Sequence, residues 1–158
     1  MKLSPLQLVR YLMPEVSCAA NANHDPKRPA DLSDESFKAE SRIHALESKN
    51  PEKYTSWSVE LDLSQMPDVK ANIPYQFSFK LVGLFQCNAQ PGNVSQEVFV
   101  RTNGSSILYG IARETLRSLT AVGPWGAVLL PTVSFYSEEA SLPEQVPSKK
   151  LKSRKSDK

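Results

Sequence analysis

The 158-residue chain reads as an α+β domain, a four-stranded antiparallel sheet followed by one long helix packed on one face of it. Three observations predict this. Residues 54–64 and 73–87 alternate apolar and polar side chains with period two, the pattern of half-buried strands. Residues 107–120 switch to helical spacing. Gly123-Pro124-Trp125-Gly126 then breaks the helix, and an apolar stretch follows that Pro131 divides.

Taken in order, residues 4–20 read as a strand, with Leu6, Leu8 and Arg10 alternating with Gln7, Val9 and Tyr11. Pro14 cannot donate to a ladder and marks an edge or a bulge. Residues 21–34 form a polar loop with two prolines, and His24 within it reads as a solvated histidine. Residues 35–48 place Phe37, Ala39, Ser41, Ile43 and Ala45 on one face, which favours a strand, although their Ala, Glu and Arg also suit a helix. Residues 49–53 turn. In residues 54–64, Thr55, Trp57, Val59, Leu61 and Leu63 share a face. Residues 65–72 connect to the longest strand, 73–87, where Tyr75, Phe77, Phe79, Leu81 and Phe85 share a face with Gly83 in register. Its other face turns apolar late, so both faces are expected to be covered there. Gly83 predicts a bulge or a close backbone approach.

After a turn at 88–94, Ser95 is expected to cap the helix, and Asn103-Gly104 to kink or restart it. Ile107, Ile111, Thr115 and Leu119 form one stripe, and Leu108, Ala112, Leu116 and Thr120 a second beside it. So wide a band either covers the core or also builds an oligomer interface. Glu114 and Arg117, at spacing three, can pair on the surface. Gly123 is expected to take the left-handed cap.

Apolar content of 40% and charged content of 23% describe a globular body, and the 12 prolines a flexible fraction. The net charge of +2 is uneven: the last ten residues carry +5 and the other 148 carry −3. A domain at 1–142 and a flexible basic tail at 143–158 are expected. Such a tail attracts nucleic acid or anionic lipid, but more often it solubilises, and nucleic-acid binding is not expected. Cys18, Cys87, His24 and His44 are too few for a disulfide framework or a zinc site, and suggest a reducing compartment. No run approaches the roughly 18 apolar residues of a membrane span. Arg10 and Glu15 interrupt the N-terminal apolar run, against a cleaved signal peptide, so a cytoplasmic location is expected. There is no phosphate loop and no nucleophile motif, and the carboxylates are scattered. An enzyme is not expected, nor catalytic residues, metal or cofactors.

The informative side chains are aromatic: Trp57, Tyr75, Phe77, Phe79, Phe85, Trp125, Phe135 and Tyr136. Trp125 sits in a turn-forming setting where a large ring can act as a lid over an apolar groove. Residues 107–136, ILYGIARETLRSLTAVGPWGAVLLPTVSFY, resemble the C-terminal half of the SecB family of export chaperones. Tyr109, Ala112, Arg113, Glu114, Ser118, Gly123, Trp125, Pro131 and Phe135 carry the match. The resemblance implies a four-stranded antiparallel sheet with a long helix, assembled as a dimer of dimers. It also implies ATP-independent binding of unfolded preproteins and other non-native polypeptides, and delivery to the SecA motor. On that resemblance the client groove and its lid fall at Trp57, Phe77, Phe79, Trp125, Leu129 and Phe135. The interface of the homotetramer falls at Ile107, Ile111, Thr115 and Leu119. The tail departs from the family in being basic, and Lys80 stands on a sheet face that family members make acidic for SecA, although Glu60 and Asp62 could substitute. A SecB-like chaperone dedicated to one client, such as an antitoxin in a toxin–antitoxin–chaperone system, is the alternative.

Overall fold

The alternating stretches pair into a single antiparallel sheet. The computed structural model describes residues 3–31, 36–65, 71–88 and 94–136. Its elements are β1 (Leu6–Ala20), β2 (Phe37–Leu46), β3 (Thr55–Gln65), β4 (Tyr75–Cys87) and α1 (Gln96–Ala121). The sheet order is β1-β4-β3-β2, so β4 lies inside and β1 and β2 are edges; β4, expected to be the longest strand, has 13 residues against 15 in β1. The basic tail lies outside the described residues. Among those described, no helix is long and apolar enough to cross a membrane.

Register puts the expected faces together. Phe37, Ala39, Ser41, Ile43 and Ala45 of β2 stand opposite Gln65, Leu63, Leu61, Val59 and Trp57 of β3, so the ambiguous stretch is a strand. Leu61, Leu63, Phe79, Leu81 and Phe85 are buried beneath the helix, each such side chain contributing about 1.5–3 kcal/mol. The pairing of β1 with β4 shifts register between Leu8 and Arg10 and again between Leu12 and Glu15, the second spanning Pro14. Pro14 therefore sits at both an edge and an irregularity, where its missing N–H is tolerated.

Ser95 accepts from the Val98 amide as the predicted N-cap of α1. At 26 residues α1 is about 39 Å long, and the 13 residues of β4 span about 43 Å. The helix runs antiparallel to β4: Leu108 approaches Gly83, and the Tyr75 hydroxyl donates to the Thr120 carbonyl. Leu108, Ala112, Leu116 and Thr120 are fully buried, so the second stripe is the core stripe.

Several expectations need correction. Asn103-Gly104 neither kinks nor restarts α1, which is continuous. Gly104 is instead a point of close approach, where a Cβ would lie 2.9 Å from Val59 Cγ2. Gly83 is the same kind of contact: a Cβ there would lie 2.9 Å from Leu108 Cδ2, and its pairing with β3 is regular. Ser41 Oγ of β2 and Ser105 Oγ of α1 hydrogen-bond at 2.5 Å across the sheet–helix gap. Gly123 does not take the left-handed cap. Gly126 has the positive φ, of 76°, and a Cβ on Gly123 would collide with the Tyr75 hydroxyl. The late apolar part of the outer face of β4 is not covered, for Leu84 is exposed.

Gly104→Val is therefore expected to destabilise the domain by about 2 kcal/mol, because a stiff side chain must enter a full core. Gly110→Ala, where a Cβ meets nothing within 4 Å, should stabilise it by about 0.5–1 kcal/mol through helix propensity. Urea denaturation of both variants checks the pair.

Candidate functional site

Beyond α1 the chain turns back and lies along the helix as a strap, residues 127–136. Val128 and Leu130 are buried, Val133 and Phe135 are half-buried, and Leu129 is exposed. Side chains of α1 hold its backbone. The Val128 amide donates to Thr120 Oγ1 at 2.9 Å, and Arg113 Nε donates to the Leu130 carbonyl at 2.6 Å. Tyr109 Oη donates to the Pro131 carbonyl at 2.7 Å, and Thr102 Oγ1 reaches the Phe135 carbonyl at 3.5 Å. The Phe135 ring packs edge-on against Tyr109 at 5.9 Å. As the strap advances from 128 to 135 its partners retreat from 120 to 102, so it runs antiparallel to the helix.

The holders share one stripe. Thr102, Tyr109, Arg113 and Thr120 recur at spacings of seven, four and seven, so 18 residues make about five turns. That polar row was readable in the sequence, but apolar periodicity draws attention to the neighbouring stripes. Sequence reasoning paired Glu114 with Arg117, and the pair forms, with Arg117 Nε donating to Glu114 Oε2 at 2.8 Å. Arg113 is free for the strap. Burial pushes the Tyr109 phenol above its ordinary value, opposed by the nearby Arg113 charge, which keeps Tyr109 a donor.

At the start of the strap, Trp125 is pinned rather than loose. Its indole N–H donates to the Asn21 carbonyl at 3.1 Å, and its amide donates to Tyr75 Oη at 3.0 Å. His24 packs edge-on to the indole at 5.3 Å, so it is a contact residue of this corner and not a solvated loop histidine. The loop carrying Asn21 is itself fixed by Asn72, which the sequence reading passed over. Asn72 Nδ2 donates to the carbonyls of Asp25, Arg28 and Pro29, and its Oδ1 accepts from the Asp25 amide.

The six residues expected to line a groove are spread along the whole sheet. Trp57, half-buried, pairs with Phe85 at one end, and Phe77 and Phe79 lie buried toward the other, their rings 5.7 Å apart. Trp125 adjoins Tyr75 at that second end, while Phe135, beside Thr102 and Tyr109, returns toward the first. The strap thus links the ends, with Leu129 open to solvent between them. Of the expected interface stripe, Ile107 and Leu119 are 38% and 43% exposed. Ile111 packs half-buried against the core, and Thr115 donates to the Ile111 carbonyl close to Met13 of β1. The stripe therefore flanks β1, whose Val9, Tyr11, Leu12 and Val16 are also exposed.

On the outer face, Arg42 pairs with Glu60 and with Asp62, and Lys38 with Glu40. Burial raises the Cys18 thiol above its ordinary value, which disfavours the thiolate. No group of His, Cys, Asp or Glu among the described residues could hold a metal ion.

Comparison with solved structures finds this fold in a protein of unknown function from Streptococcus agalactiae, with a TM-score of 0.55 and 15% identity over 80% of this chain and 97% of that one. A lower-scoring match is the Mycobacterium tuberculosis Rv1957 SecB-like chaperone in complex with a ChAD peptide from the Rv1956 HigA1 antitoxin. It has a TM-score of 0.46 and 13% identity over 84% of this chain and 93% of that one. No family model and no curated protein matches the chain.

Because the Tyr109 phenol is raised in the folded state, its contribution is present below the ordinary tyrosine value near 10 and is lost as pH climbs through the raised one. An absorbance titration should show a late phenol step that Tyr109→Phe removes. A wild-type curve with no late step would contradict the burial of the Tyr109 phenol beneath the strap.

Proposed function

We propose that this protein is an ATP-independent chaperone that binds unfolded, non-native polypeptide and acts by holding it, without chemical turnover. The observation that carries this reading is the apolar surface that the fold leaves open. Twelve large hydrophobic side chains among the described residues are exposed, among them Tyr11 and Val16 on the helix-side face of β1, Ile107 and Leu119 on the adjoining flank of α1, and Leu12 and Leu84 on the outer face of the sheet. Such a surface suits binding of polypeptide. The architecture is the sheet and helix that the sequence resemblance to SecB implies, which supports the same reading.

Binding follows from burial. An extended client removes its apolar side chains from water at about 25 cal/mol per Å². Part of that gain offsets the cost of ordering the client. The reaction needs no cofactor, and it opposes folding and aggregation because it engages the unfolded state. In this reading Trp57, Phe77, Phe79, Trp125, Leu129 and Phe135 mark the client groove, with Trp57 and Trp125 at its ends, Phe77 and Phe79 in the core beneath it, and Leu129 and Phe135 on the strap that covers it. Ile107, Ile111, Thr115 and Leu119 serve assembly into a homotetramer in the cytoplasm. The clients would be preproteins kept competent for export through the Sec pathway.

One observation favours a dedicated client over general export. Glu60 and Asp62, the carboxylates available to replace the family's acidic SecA surface, are both engaged by Arg42. The outer face then offers SecA little free negative charge, and a single partner such as an antitoxin fits as well.

Purified protein should suppress aggregation of a slow-folding polypeptide without ATP, with a scattering mass of four chains. Failure to suppress aggregation of any of several unrelated polypeptides would remove the general export reading and leave the dedicated one, tested by co-expression with candidate antitoxins.

A further inference from the structure

The strap is held differently from the strands. Strands bond main chain to main chain, whereas the Val128 amide and the carbonyls of Leu130, Pro131 and Phe135 bond to side chains of α1. A side chain that grips a carbonyl is indifferent to the residue that owns it. The lengths also agree. From Thr102 to Thr120 the helix advances about 27 Å. The seven steps from Val128 to Phe135 span about 23–25 Å only when nearly fully extended. Pro131 fits because the ladder asks it for a carbonyl and no N–H.

We propose that Thr102, Tyr109, Arg113 and Thr120 form a receptor ladder for extended apolar polypeptide, and that residues 127–136 are its built-in ligand, displaced by a client segment of the same chemistry. This rests on the polypeptide-binding reading above and gives it a site, a direction and a gate. The client segment is uncharged, about eight to ten residues long, runs antiparallel to α1, and is apolar where the strap has Val128, Leu130, Val133 and Phe135. The strap holds the trough closed because its tether at Gly126 gives it a high effective concentration. It leaves by local opening, since no ladder pairing of the sheet involves it.

A labelled peptide of residues 127–136, AVLLPTVSFY, tests this on the full chain by fluorescence anisotropy. Val133→Ser/Phe135→Ser loosens the strap at half-buried positions and leaves the ladder intact. Phe135→Ala alone serves if the double variant loses its far-ultraviolet dichroism. The strap variant should bind the peptide at least tenfold more tightly than the wild type, and adding Arg113→Gln should reverse most of that gain. Equal affinity in wild type and variant, no binding to a folded variant, or indifference to Arg113→Gln overturns the ladder. Competition by a reduced and alkylated polypeptide separates the two claims. Displacement of the peptide supports both. Peptide binding without displacement overturns the client exchange, and failure to suppress aggregation overturns the chaperone reading. Suppression of aggregation by a protein that never takes the peptide overturns the ladder and leaves the chaperone reading standing.

Discussion

The close approach of α1 to the sheet at Gly83 and Gly104 is the constraint on which the rest depends. Leu108 sits against one missing side chain, and Val59 and Phe85 sit against the other. Ser41 and Ser105, both small, close the remaining gap by a hydrogen bond. A helix seated this low buries its Leu108–Ala112–Leu116–Thr120 stripe completely. It also brings two flanks down beside the sheet. One flank carries Ile107, Ile111, Thr115 and Leu119 to the edge of β1. The other brings Thr102, Tyr109, Arg113 and Thr120 within reach of the returning strap.

The two flanks differ in chemistry. The β1 side is apolar and open, with Tyr11, Val16 and Ile107 exposed. The strap side is polar at the helix and apolar in the strap, so it grips backbone with hydrogen bonds and buries side chains between them. A surface of the first kind suits an apolar partner, a client or a second copy of the chain, and one of the second grips the backbone of an extended chain. The pinned corner at Trp125 gives the strap a fixed origin. Asn72 orders the loop, the loop presents the Asn21 carbonyl, and that carbonyl holds the indole.

The strands and their faces were legible because period-two alternation is local and each face meets a uniform environment. Even the doubtful stretch at 35–48 resolved correctly, since Phe37 to Ala45 alternate and face β3 in register. The glycines were read less well. Gly104 has the signature of a kink and of a close approach alike, and only the position of Val59 decides between them. Gly123 stands beside a proline and reads as a cap, yet Tyr75, far away in sequence, is what excludes a side chain there. The candidate site was half legible. Trp125 and Phe135 stood out as aromatics on a loop, but the stripe that grips the strap is made of Thr, Tyr and Arg, and no apolar periodicity marks it. His24 looked solvated because its partner lies about a hundred residues on.

Hydrogen exchange on the full chain, with and without a reduced and alkylated polypeptide, tests the central claim most directly. If an extended client takes the trough beside α1, amides of residues 127–136 will exchange faster when it binds while α1 stays protected. Protection confined to the outer face of the sheet, with the strap unchanged, would contradict the account.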